Sequence, residues 1–246
     1  MHPRSTGSRK LARLLRQYYN QEVMEAVAAE HAKGRRLYVG TTNLDSGRPV
    51  IWDLGAIAAS GSPHALKLFQ QVIFASASIP VVFEPAYIPV EARGKRYDEM
   101  HVDGGVTAQA ILYGNAISIA EMKRHIPGAD DPGSPKPTVY IIRNAKFGPE
   151  HQTVKPKLIP IAEQAVMTLV KAQGLGDVYR LHAVCRRDQL EFRLASIPDD
   201  LTLSRATKLF DPEQIETLYR CGYELGRSGY PWANEPPGLS AQYTRW

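Results

Sequence analysis

The most informative stretch of the sequence reads YDEMHVDGG and covers residues 97–105. Its first part has the residue types of a β-strand, and we expect the strand to end at Asp103. Gly104 and Gly105 follow at once. Glycines permit a sharp turn with positive φ and leave no Cβ beside the acid. The stretch therefore predicts a carboxylate held at the exit of a strand, although Asp-Gly-Gly alone is also an ordinary turn sequence.

Helices and strands alternate outward from this stretch in both directions. Two helices precede a predicted hairpin, whose strands lie near residues 37–42 and 49–53. Further helices are predicted from Ser62-Pro63 to about residue 76 and at 160–173, 177–187 and 211–229, and further strands at 86–90, 139–142 and 190–194. The alternation predicts an α/β fold with a central, mainly parallel sheet and helices on both faces. We expect a single domain over residues 1–246, with an irregular tail at residues 230–246.

Four segments of the chain are informative when taken in order. They are GTTNLD at residues 40–45 with RPVIWD at 48–53, ASASIP at 75–80, YDEMHVDGG at 97–105, and FDP at 210–212 with GYELG at 222–226. In this order they resemble the strand pair, the end of the next helix, the aspartate segment and the last helix of the patatin-like phospholipase family. The resemblance extends over most of the chain.

The resemblance implies a lipid acyl hydrolase that works with a serine and an aspartate. This chain would supply the C-terminal part of a patatin-like domain and lack its N-terminal strands. Asp103 takes the role of the general base, with Gly104 and Gly105 as the motif glycines. The implied substrate is a lipid or another acyl ester, and no cofactor is implied. The chemistry is reasonable because a carboxylate in a dry pocket can take the proton of a serine.

The serine that this chemistry needs is not found in the sequence. No G-x-S-x-G nucleophile elbow occurs among the 246 residues. The nearest fragment, PRSTG at residues 3–7, has a proline in place of the first glycine and no preceding strand, so we predict a flexible N-terminal loop around Ser5. Ser76 and Ser78 lack framing glycines and are predicted to be structural.

Two functions therefore stay open. One is an acyl hydrolase to which this chain contributes Asp103 as the base. The other is a truncated or degenerate homologue that is not catalytic and binds lipid or a protein partner. In either case we expect no ester hydrolysis by this chain alone, because the nucleophile is missing. A sheet without its first strands would also expose an edge and apolar surface, which predicts self-association.

The histidines and cysteines give no sign of a metal or disulfide site. Residues two apart on a strand are roughly 6.5 to 7 Å apart, too far for His101 to bond Asp103 reliably, so His101 is predicted to be structural. The other histidines lack metal-ligand spacing, and we expect no bound metal. Cys185 and Cys221 form no disulfide framework.

Charge is the remaining global feature. The net charge is +5, and the first acidic residue is Glu22, so the chain opens with a basic amphipathic helix. This helix is a candidate for transient contact with an anionic membrane surface. No motif supports nucleic-acid binding. No signal peptide or transmembrane run is recognised, and the compartment stays undetermined.

Overall fold

The computed structural model describes residues 5–112, 136–150, 153–204 and 210–239. Helices and strands are mixed along these residues, as the sequence predicted. The chain divides into two compact units. The first unit comprises Met1–Pro127 with Lys157–Asp177, and the second comprises Gly128–Pro156 with Val178–Trp246. The assignment of the whole chain to one patatin-like domain stays a prediction.

The first unit begins with two helices and continues with two strand pairs separated by helices. The elements are α1 (Thr6–Tyr18), α2 (Gln21–Ala32), β1 (Tyr38–Asn43), β2 (Arg48–Asp53), α3 (Leu54–Ala59), α4 (Ala65–Ser76), β3 (Ala86–Ala92) and β4 (Lys95–Asp103). A single 3-10 turn, Gly104–Val106, follows β4. The first part of the long helix α5 (Leu158–Arg187) also belongs to this unit.

The four strands form one antiparallel sheet in the order β2-β1-β4-β3. The prediction of a central, mainly parallel sheet was therefore wrong for this unit. The physical reason is the length of the connections. Two strands joined by a few residues can only run antiparallel, whereas a parallel pair needs a long crossover. The β3–β4 turn consists of Arg93 and Gly94, both with positive φ.

The core of the first unit lies between the sheet and its helices. Phe69 and Val72 of α4 are buried, together with Leu54 of α3 and Ile88 of β3. These side chains belong to one apolar cluster that also includes Met24 of α2. Helix α4 thus turns its apolar residues toward the core. The packing fixes the sheet from which Asp103 emerges.

Two details of the helices differ from the sequence prediction. Helix α3 was not foreseen, and it begins because the carboxylate of Asp53 accepts a hydrogen bond from the N–H of Ala56 over 2.8 Å. Helix α4 begins at Ala65 and its N-cap residue, His64, makes no side-chain capping bond. Ser62 instead accepts a hydrogen bond from the N–H of His64 before the helix starts.

Helix α5 is one continuous element, whereas two helices were predicted there. The predicted break fell at Gly174 and Gly176, but a glycine in a helix interior costs only about 1 kcal/mol, which neighbouring residues can offset. The helix exposes large apolar side chains near its start, and Leu158 is 83% exposed. Even so, no helix in the described ranges is long and apolar enough to cross a membrane. Self-association stays a prediction.

The second unit is built around a parallel strand pair. Strands β5 (Thr138–Arg143) and β6 (Glu191–Ser196) are connected through α5, and α6 (Pro212–Arg227) follows. Among the described residues, β5 and β6 are the strands that run parallel, which is the arrangement that the sequence predicted for the main sheet.

The described part of the C-terminal tail is not irregular throughout. Leu194 of β6 and Ala233 exchange two backbone hydrogen bonds of 2.8 and 3.0 Å. Trp232 lies against Tyr140 and Tyr230, with ring centres 4.9 and 5.3 Å away. Tyr140 and Leu194 are distant in sequence from the tail, so no local pattern could indicate these two contacts.

Candidate active site

Asp103 is the last residue of β4, as the sequence predicted. Its backbone is held from two sides. It pairs with Thr41 of β1, and its N–H donates to the carbonyl oxygen of Ser78 over 3.1 Å. The chain then turns away through Gly104–Val106. The carboxylate is therefore attached to a backbone that neighbouring elements fix in position.

The carboxylate of Asp103 is only partly exposed. Its Oδ1 accepts a hydrogen bond of 2.7 Å from the N–H of Gly105. Burial raises the pKa of Asp103 above its ordinary value, and the Gly105 hydrogen bond partly opposes this shift because it favours the charged form. Among the described residues, nothing donates a hydrogen bond to Oδ2. One carboxylate oxygen is thus oriented, and the other keeps its lone pairs available.

The raised pKa predicts how Asp103 affects stability. A carboxylate with a raised pKa in the folded state contributes stability that is fully present below its unfolded pKa of about 3.9. That contribution is lost as the pH rises through the folded pKa. We therefore expect Asp103→Asn to be more stable than the wild type at pH 7, with the difference shrinking on acidification. The difference in unfolding free energy should change by less than about 1.4 kcal/mol per pH unit, because the Asp103 carboxylate is partly exposed.

Urea unfolding of both proteins between pH 3 and pH 8 measures this difference. Asp98→Asn is the matched control, because Asp98 is an exposed acid on the same strand. It removes the same charge without removing a partly buried carboxylate. A difference between Asp103→Asn and the wild type that stays constant with pH would show that the folded state does not perturb this group.

Gly104 is needed for space and not for a special backbone conformation. Neither Gly104 nor Gly105 has a positive φ, so that part of the sequence prediction was wrong. A Cβ on Gly104 would lie 2.6 Å from the carbonyl oxygen of Gly40 in β1. A Cβ on Gly105 would lie 3.0 Å from Oδ1 of Asp103. The first glycine lets the turn pack onto β1, and the second leaves room for the carboxylate.

His101 takes part in a buried hydrogen-bond network that does not include the Asp103 carboxylate. Its Nδ1 lies 2.9 Å from the hydroxyl of Thr41, and its Nε2 lies 3.2 Å from Glu99. The indole N–H of Trp52 donates to the same Thr41 hydroxyl over 2.8 Å. The network is satisfied when Thr41 donates to Nδ1 and the proton on Nε2 is donated to Glu99. His101 is therefore structural, as predicted.

Two threonine hydroxyls surround the backbone of the Asp103 turn. Thr42 donates to the carbonyl oxygen of Asp103 over 3.0 Å, and its hydroxyl lies 2.9 Å from that of Thr107. Neither contact involves the carboxylate. Among the described residues, no serine or threonine hydroxyl donates to the Asp103 side chain. The turn is thus supported by hydroxyl groups that the sequence analysis did not identify.

Asp177 in α5 anchors the segment after the turn. It is almost fully buried, and its Oδ2 accepts hydrogen bonds from the N–H groups of Gln109 and Ala110 over 2.7 and 3.4 Å. The side chain of Gln109 also donates to the carbonyl oxygen of Val170 over 2.6 Å. Sequence reasoning missed Asp177 because its partners lie far away along the chain.

The three serines considered in the sequence lie in structural positions. Ser5 caps α1, where its hydroxyl accepts from the N–H of Ser8 over 3.1 Å and its own N–H donates to Glu84. The flexible loop predicted there is therefore wrong from Ser5 onward, since Thr6 and Gly7 are already helical. Ser76 is the last residue of α4. Ser78 is fully buried and donates to the carbonyl oxygen of Phe74 over 2.7 Å.

Comparisons with protein-family models, with curated proteins and with solved structures find no match for the chain. Within the part of the chain that the structure describes, no cluster of three or more histidine, cysteine or acidic side chains could hold a metal ion. The site is therefore defined by its own geometry, with Asp103, Gly104 and Gly105 at its centre.

Proposed function

We propose that this chain is a patatin-like protein in which Asp103 is the general base of a serine–aspartate acyl-ester hydrolase. The substrate class would be lipids or related acyl esters. The proposal rests on the ordered resemblance of four sequence segments and on the environment of one side chain. No cofactor takes part in this chemistry.

The observation that carries the proposal is the state of the Asp103 carboxylate. A general base must be fixed in place, must keep a lone pair for the incoming proton, and works best when its pKa is raised toward the working pH. Asp103 lies on a fixed strand exit, has one oxygen held by Gly105, and has its pKa raised by burial.

A second candidate function is supported by a different observation. No hydroxyl among the described residues donates to the carboxylate of Asp103, and the sequence contains no G-x-S-x-G. A base without a nucleophile cannot form an acyl intermediate. This favours a homologue that is not catalytic by itself and binds lipid or a protein partner, with the Asp103 turn kept for its structural contacts.

Ester hydrolysis tests whether the chain alone contains a nucleophile that Asp103 can serve. We expect the purified chain to show no turnover of p-nitrophenyl butyrate above the buffer rate and no labelling by a fluorophosphonate, which reacts with activated serines. Asp103→Asn and Asp98→Asn should then be indistinguishable from the wild type. This result would show that the chain alone lacks an activated serine, so that a catalytic role of Asp103 would need a serine from outside these 246 residues.

If the purified chain does hydrolyse the ester, the Asp103→Asn variant decides the role of Asp103. If turnover is lost in Asp103→Asn and kept in Asp98→Asn, a nucleophile lies within the chain, Asp103 is its base, and the hydrolase function holds for the chain alone. Mass spectrometry of the labelled protein would then identify the serine. If turnover is unaffected by Asp103→Asn, the role proposed for Asp103 is wrong.

A further inference from the structure

The second unit contains an apolar cavity of about 330 Å³. It lies where the parallel strands β5 and β6 end, and α6 forms its opposite wall. Arg143 and Ser196, the last residues of the two strands, belong to its lining. Ligands of sheets with parallel strands commonly bind outside the carboxyl ends of the strands. The volume is at the lower end of the range for small-molecule sites, roughly 300 to 1,000 Å³.

Helix α6 leaves this space open. None of its residues is fully buried, although Leu218 and Leu225 point to the cavity wall. Gly222 and Gly226 lie one turn apart on the same side and also line the cavity. A Cβ on either glycine would meet no atom within 4 Å, and neither has a positive φ. Neither close packing nor backbone conformation therefore requires glycine at these two positions. Each glycine nevertheless weakens the helix by about 1 kcal/mol relative to alanine.

The cavity is partly open to solvent, and the described residues that line it expose mainly apolar surface. An apolar ligand that covered this surface would remove it from water, which is favourable. A ligand that occupies this space would explain two features of α6. Its two glycines leave the cavity side of the helix open, and none of its residues is fully buried.

The lining indicates the chemistry of that ligand. Most of the apolar side chains are aliphatic, including Ile197, Leu201, Leu218 and Leu225. The described residues of the lining include one cation, Arg143, and no acid. Its guanidinium lies 4.8 Å from the centre of the Phe147 ring. The wall therefore suits a hydrocarbon chain, and its charge favours a negative over a positive head group.

We propose that this cavity binds the hydrocarbon chain of a medium-chain fatty acid, with its carboxylate at the Arg143 side. The inference concerns the second unit alone and does not depend on a catalytic role for Asp103. Loss of hydrolase activity and loss of fatty-acid binding are therefore separate results.

Titration calorimetry of the full chain with octanoate and decanoate is the direct test. We expect saturable binding with one ligand per chain. The affinity should rise about fourfold for each added methylene until the chain outgrows the cavity, because each buried methylene contributes a constant amount. Decylamine, which has the opposite charge, and methyl decanoate, which represents an acyl chain carried as an ester, should bind more weakly than decanoate.

Gly222→Leu places a side chain into the cavity and tests its location. We expect decanoate binding to weaken more than tenfold, since the leucine occupies the space of several methylenes. The unliganded variant should melt about 2 to 4 °C higher, because leucine is the better helix former. Tyr223→Leu is the matched control. Tyr223 is an exposed neighbour on α6 that stacks on Tyr219 and does not line the cavity, so its replacement should leave binding unchanged.

Cys221 gives an independent readout, since it is partly exposed in the cavity wall whereas Cys185 is buried. Decanoate should slow the alkylation of Cys221 in proportion to occupancy. Any of four results would overturn the proposal: no binding of decanoate up to about 1 mM, unchanged binding by Gly222→Leu, binding without protection of Cys221, or tighter binding of decylamine or methyl decanoate than of decanoate.

Discussion

Gly104→Ala should destabilise the first unit by about 3 kcal/mol, at the upper end of the range for overpacking. The added Cβ would lie 2.6 Å from the carbonyl oxygen of Gly40 and 2.8 Å from its carbonyl carbon. Both are backbone atoms of β1, a strand paired on both of its edges. They cannot move aside without disturbing the sheet, so the Asp103 turn must shift away from β1.

Equilibrium unfolding in urea measures this effect, and Gly40→Ala is the matched control. A Cβ on Gly40 would also lie 2.6 Å from a neighbour, but that neighbour is the terminal methyl of Ile111, a side chain that can rotate. We expect a loss of about 1 kcal/mol or less there, the scale of one strained rotamer. Equal losses in the two variants would mean that the turn does not approach β1 as closely as described.

Thr41→Val should be similarly damaging, although valine has nearly the same shape as threonine. The hydroxyl of Thr41 is the shared partner of the Trp52 indole N–H and of Nδ1 of His101. Thr41 and His101 are both fully buried. Removing the hydroxyl leaves two polar groups without a partner, and each such group costs about 1 to 3 kcal/mol. We expect a total loss of about 2 to 5 kcal/mol, since neighbouring effects do not simply add.

Thr41→Ser is the control for this network. It keeps the hydroxyl and removes one methyl group, so we expect a loss of about 1 kcal/mol. Unfolding in urea gives the free energies, and the NMR signal of the Trp52 indole N–H reports the hydrogen bond itself. If Thr41→Ser and Thr41→Val lose the same stability, packing of the methyl group matters and the network does not.

Local sequence patterns predicted the elements around the candidate site well. The strand that ends at Asp103 and the helix that starts after Asp211 are both present. Each depends on residues within a few positions of one another. Asp211, for example, accepts a hydrogen bond from the N–H of Glu213 and so starts α6. The sequence therefore sufficed wherever the deciding interaction was local.

The direction of the sheet was not predictable in the same way. The alternation of helices and strands predicted a central, mainly parallel sheet, and patatin-like ancestry stays a proposal. The described first unit instead places β1 between β2 and β4, all antiparallel. Short connections account for the pairs β1–β2 and β3–β4, but β1 and β4 are far apart in sequence, and no local pattern shows that they pair. That choice depends on contacts between distant segments.

The sequence by itself determined that a carboxylate followed by two glycines ends a strand in a chain of mixed helices and strands. The tertiary structure alone decided what those residues do there. It showed that Gly104 is required by the approach of Gly40, that Asp177 holds the following segment, and that burial raises the pKa of Asp103. The physical reason is that backbone propensity acts between neighbours in sequence, whereas close contact and desolvation depend on whatever the fold brings near.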